Sequence, residues 1–136
     1  MKTTSFRNVI AVLFTFLAFV PARFAAGETK PVASVEGLMT GQGLVFKELQ
    51  RVTNGPKSAD RAKNIQLTSE VLAELANVNI QNGEKDDYRN WASQLRDTAL
   101  ELAVEAKKKS SADDATMKTI LGRLEATCKS CHDEYQ

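Results

Sequence analysis

The sequence predicts an all-α protein, an antiparallel up-down-up-down four-helix bundle. Three observations carry this. Past residue 27 the apolar side chains recur at alternating three- and four-residue spacing, the period of a helix that buries one stripe. Three short breaks divide that pattern into four stretches: Gly55-Pro56, Asn82-Gly83, and the polar run around Lys107 to Ser111. Strand signals, the strict alternation of apolar and polar residues, are almost lacking.

The first stretch runs from about Val32 to Val52, with Val32, Val35, Met39, Phe46 and Leu49 on the expected inward seam. Gly55-Pro56 ends it, since proline cannot continue a helix. The second spans about Ser58 to Gln81, with Ile65, Leu72 and Leu75 inward and Asn82-Gly83 as its stop. The third starts at Asp86-Asp87, acids suited to the positive end of the helix dipole. It turns Tyr88, Trp91, Leu95, Ala99, Leu102 and Ala106 inward and ends in Lys107-Lys108-Lys109, a solvated cationic end. The fourth is expected to be capped near Ser111, with Asp113 and Asp114 in its first turn. It buries Met117, Ile120 or Leu121, and Leu124, and the same seam reaches Cys128 and Cys131. Helices of roughly 20 residues are about 30 Å long, and loops this short force sequential neighbours to run antiparallel.

Residues 1–27 read as an export signal. Lys2 and Arg7 supply a positive start, Val9 to Val20 an apolar run, Pro21 a break, and Ala25-Ala26-Gly27 small residues for a peptidase. The apolar run is about a dozen residues, short of the about twenty a membrane span needs. Cleavage near Gly27 would leave one domain, residues 28–136, with no membrane span, in a periplasmic setting. Of the 18 basic side chains this segment holds three and no acid, so 15 remain against 17 acidic ones, a net of −2. That balance points away from a nucleic-acid partner.

The chemistry sits at the C-terminal end, in Cys128-Lys129-Ser130-Cys131-His132. A C-x-x-C-H run reads as a c-type haem attachment site. The two sulfurs add to the two haem vinyl groups from one side of a helical turn, and His132 follows as the proximal iron ligand. These are the chain's two cysteines and its one histidine. Half a zinc site lacks the other two ligands it would need. A thioredoxin-like pair would sit near a βαβ pattern, which is absent here. The expected cofactor is therefore one covalent haem c per chain. No Ser/His/Asp set, phosphate loop or acid/base cluster suggests an enzyme.

A four-helix pattern ending in Cys128-Lys129-Ser130-Cys131-His132-Asp133-Glu134-Tyr135 resembles the cytochrome c prime family, the class II c-type cytochromes. The resemblance covers residues 28–136 in architecture and is specific in Cys128, Cys131, His132, Tyr135 and the Leu38-Met39 pair. Members often follow the tyrosine with a basic residue, and here Gln136 stands in that place. The family divides on the sixth iron position. Its high-spin branch leaves that position open and binds NO or CO. Its low-spin branch, the cytochrome c-556 type, fills it with a methionine of the first helix.

Met39 is the candidate sixth ligand. Met117 lies on the haem-bearing helix, 15 residues before His132 and so roughly 22 Å away. Leu38-Met39 resembles the Leu-Met of the low-spin branch, and Gly37, Gly41 and Gly43 flank it. Each glycine costs about 1 kcal/mol relative to alanine in a helix interior, so close approach of haem to backbone is one reason for them, and a weakened first helix another. Met39 is otherwise a core side chain, since methionine fills irregular gaps. Trp91 and Tyr88 are read as core packing. With His132 and Met39 both on the iron, the protein is expected to be an electron carrier that meets redox partner proteins. With the position open, it would bind NO or CO. The resemblance also implies a homodimer through the first two helices.

Overall fold

In the computed structural model, which describes residues 31–135, Ser34 opens the first helix by accepting a hydrogen bond from the Gly37 N–H at 3.1 Å. This helix, α1 (Val35–Asn54), ends at Gly55-Pro56. The second, α2 (Arg61–Asn82), is entered through a turn in which the Arg61 N–H donates to the Ser58 carbonyl at 3.2 Å. It closes where the Gly83 N–H donates to Asn79 O at 3.0 Å. The third, α3 (Asp86–Lys107), carries Asp86 and Asp87 in its first turn. The fourth, α4 (Asp114–Tyr135), follows a single 3₁₀ turn at Lys109–Ser111. The expected export signal, residues 1–27, lies outside the described residues.

The helices pack as a bundle. Sequential neighbours lie side by side, with α2 on α3 the most extensive contact, and α4 returns to α1 in a much slighter one. Ala73 and Ala76 on α2 and Ala92, Ala99, Ala103 and Ala106 on α3 are buried, and such small side chains let two backbones approach closely. Leu49, Ile65, Leu72, Leu102, Met117 and Leu124 form the fully buried centre. No helix of the described residues is long and apolar enough to cross a membrane.

Two expectations need correction. Val32 and Val35 are exposed rather than inward: Val32 precedes the Ser34 cap, and Val35 is the first residue of the first turn. The buried seam of α1 is instead Leu38, Gln42, Leu49 and Val52, with Met39, Phe46 and, on α2, Leu75 half-buried. The cap of α4 is Asp113, whose carboxylate accepts the Ala115 N–H at 3.2 Å and the Thr116 N–H at 3.1 Å. Those bonds hold its carboxyl below the usual carboxylate range, the Thr116 hydroxyl contributing most. Ser111 spends its hydroxyl on the Lys108 carbonyl instead.

Arg61 joins three helices at one end of the bundle. Its Nε donates to Val52 O at 3.1 Å, a second nitrogen donates to Thr53 O, and Nη1 meets Asp114 Oδ1 at 2.7 Å. The guanidinium thereby satisfies carbonyls that the end of α1 would leave orphaned and ties them to the start of α4. The Asp114 carboxyl is held low by Arg61 first and Lys57 second.

Candidate haem site

At the opposite end the weak contact between α1 and α4 leaves room. A cavity of about 300 Å³ opens there, and all four helices supply its wall. From α1 come Met39, Gln42, Gly43 and Phe46; from α4, Cys128, Cys131 and His132. Leu72 and Asn79 of α2 and Tyr88, Trp91 and Leu95 of α3 complete the wall. A second hollow of about 430 Å³ lies toward the α2–α3 turn and shares Met39, Tyr88, Cys131 and His132 with the first. The four residues singled out in the sequence thus border one cavity, although Met39 is on the first helix and the others on the last. Met117 is buried at the bundle's other end, where it borders a separate cavity with Arg61.

Helix geometry explains the α4 wall. Cys128 and Cys131 are one turn apart and so face the same way, with Cys131 buried and Cys128 half-buried as free thiols. Burial pushes both thiols above their ordinary range, with the neighbouring Cys131 adding to the effect at Cys128 and Asp87 at Cys131. That is the opposite of the lowered thiol that a redox pair uses. His132 is exposed at the rim shared by the two hollows.

The rest of the wall fits a large flat cofactor with polar edges. Gln42 Nε2, Asn79 Oδ1 and Tyr88 Oη are buried without a hydrogen-bond partner among the described residues, and all three border the cavity. Buried polar groups are rarely left so, and the carboxylates of such a cofactor could accept from Gln42 Nε2 and Tyr88 Oη. Gly43 points the same way. A Cβ built there would have nothing within 4 Å, so no protein atom accounts for a glycine inside α1, whereas a flat group laid on the backbone would.

Tyr135 closes the C-terminal end of the site. Its ring meets Tyr88 edge-on with centroids 5.8 Å apart, Lys85 Nζ lies 5.2 Å from its centroid, and its hydroxyl donates to Asp87 Oδ1. Asp87 also accepts the Tyr88 N–H at 2.8 Å. Sequence reasoning missed this clasp, and it missed Gln42 and Asn79. Both polar residues continue the buried seams of their helices, Asn79 at seven residues from Leu72 and Gln42 at seven from Leu49. A polar side chain on an apolar seam was the available signal.

The family model for Cytochrome C' matches residues 76–136, from the last turns of α2 through α4. Over that segment the chain is similar to the cytochrome c prime family, a likeness that supports a c-type haem protein. Members of that family bind haem c covalently, one per chain. Members are typically periplasmic and act as electron carriers or gas binders. No curated protein and no solved structure gives a match.

Proposed function

We propose that this chain is an exported cytochrome of the cytochrome c prime family that carries electrons, in the manner of the low-spin c-556 type. Cys128 and Cys131 hold the haem through thioethers, His132 is the proximal ligand and Met39 the distal one. The observation that carries the reading is that Met39 of α1 and His132 of α4 border one cavity that both cysteines also line.

Haem iron supplies a one-electron change between its ferric and ferrous states. The chain's own residues decide what that change is used for. A thioether from Met39 together with the His132 imidazole would fill both axial positions and leave none for a substrate, and a soft sulfur ligand favours the ferrous state. Leu72, Leu95, Phe46 and Trp91 shield the cavity and lower the local dielectric. The His132 rim is exposed, which suits electron exchange with a partner protein. Leu44 on α1 and Leu67 and Val71 on α2 are exposed apolar side chains, the kind of surface a homodimer through these helices would cover.

The second reading, a five-coordinate protein that binds NO or CO, is favoured by one observation. Gln42 Nε2 is a buried free donor one turn from Met39 and could meet a small distal ligand. Mixing the reduced protein with CO separates the two. Slow or weak binding, limited by release of Met39, is expected. Rapid saturation would reverse the reading.

A further inference from the structure

Asn79 is the most buried polar side chain on the cavity wall, 1% exposed. Its backbone is pinned, since its carbonyl receives the Gly83 N–H that ends α2. Its side-chain amide has one hydrogen-bond contact among the described residues, with Nδ2 4.0 Å from Met39 Sδ, while Oδ1 has none. A reversed amide would set its oxygen against the sulfur lone pairs, two acceptors facing each other, so the N–H orientation is the favourable one.

Met39 needs such a guide. Its side chain has three rotatable bonds and is only half-buried, on a helix that touches α4 far less than α3 does. The neighbour on which α1 does pack is α2, and Asn79 is the α2 residue that reaches the sulfur. A thioether sulfur has two lone pairs, so one can accept the amide N–H while the other faces a metal. The two interactions are compatible rather than competing.

We propose that Asn79 is a positioning residue for Met39: its amide N–H donates to the thioether, holds the sulfur toward the cavity, and so sets how readily Met39 leaves the iron. This rests on the reading of Met39 as the distal ligand. Exchange for CO then breaks the iron–sulfur bond and forms an iron–carbon bond, with no change of oxidation state.

The test uses haem-loaded, reduced protein and two readouts: the rate of CO binding, and the Met39 methyl proton signal, which a haem ring moves far upfield. Asn79→Leu keeps the approximate volume and removes the donor, and Asn79→Ala removes it without adding apolar bulk. Either variant is expected to bind CO roughly three- to tenfold faster, the scale of one neutral hydrogen bond, and to broaden or split the methyl signal. In a Met39→Leu background the Asn79 substitutions should leave the CO rate unchanged. The proposal is overturned if both variants keep the parent rate and a single sharp methyl signal. It is equally overturned if the acceleration persists without Met39, because Asn79 would then act through packing. A parent protein lacking the shifted methyl signal would sink the ligand reading itself, before any change at Asn79.

Discussion

The Tyr135 hydroxyl donates to Asp87 Oδ1 and so ties the last turn of α4, three residues beyond His132, to the first turn of α3. Both groups respond to the bond. Asp87 is held below the usual carboxylate range by Tyr135 first and by the Tyr88 N–H second, and Tyr135 is pushed up to about 12 by the same Asp87 contact.

The contact therefore has two pH limits. A lowered carboxyl stabilises the fold above its unfolded pKa, and that contribution is lost as pH falls through the folded one. A raised phenol stabilises the fold below its unfolded pKa, and its contribution is lost as pH rises toward about 12. Thermal melts of the parent and of Tyr135→Phe should differ by a small, constant amount from about pH 5 to about pH 10. The difference should shrink on both sides. A gap independent of pH across the whole range would show that the lost hydroxyl matters through something other than Asp87.

Covalent attachment gives the second prediction. Protein matured in a host that exports and attaches haem should keep its haem through denaturing electrophoresis. Cys128→Ser or Cys131→Ser should each leave one thioether and weaken retention, and the double change should abolish it. Haem that washes out of the denatured parent would contradict the roles given to these sulfurs.

Arg61 supplies a control at the far end. From Asp114 to His132 is 18 residues, so the clasp on Val52 and Thr53 lies about 27 Å along α4 from the haem site. Arg61→Met should lower unfolding stability by about 2–3 kcal/mol, because two carbonyls and the Asp114 carboxylate lose a charged donor. The haem absorption spectrum of the folded variant should be unchanged. A shifted spectrum would mean that the two ends of the bundle are coupled.

What was legible in the sequence follows from range. Caps, breaks and apolar spacing act within a turn or two, so the four helices and the C-x-x-C-H turn could be read residue by residue. The expected start of α1 is too early because Val32 fits the period, while Ser34 decides where the backbone can begin to coil. The Arg61–Asp114 and Tyr135–Asp87 bonds join residues far apart in the chain, and no local pattern announces such pairs. Gln42 and Asn79 sat in plain view on their seams, yet a period counted on apolar residues passes over polar ones. Met39 was reached from both directions, as a seam position and as half of the Leu38-Met39 pair.

Whether Met39 occupies the distal iron position is read from the near-infrared edge of the oxidised protein's spectrum. A thioether on ferric haem gives a weak sulfur-to-iron charge-transfer band at long wavelength, in a low-spin spectrum. Met39→Leu keeps approximate volume and apolarity, so packing should survive and only the sulfur is lost. The band is expected in the parent, with its disappearance in Met39→Leu and a switch of that variant to high spin. A high-spin parent without the band, unchanged by Met39→Leu, would contradict Met39 ligation and leave Met39 a wall residue of an open, gas-binding site.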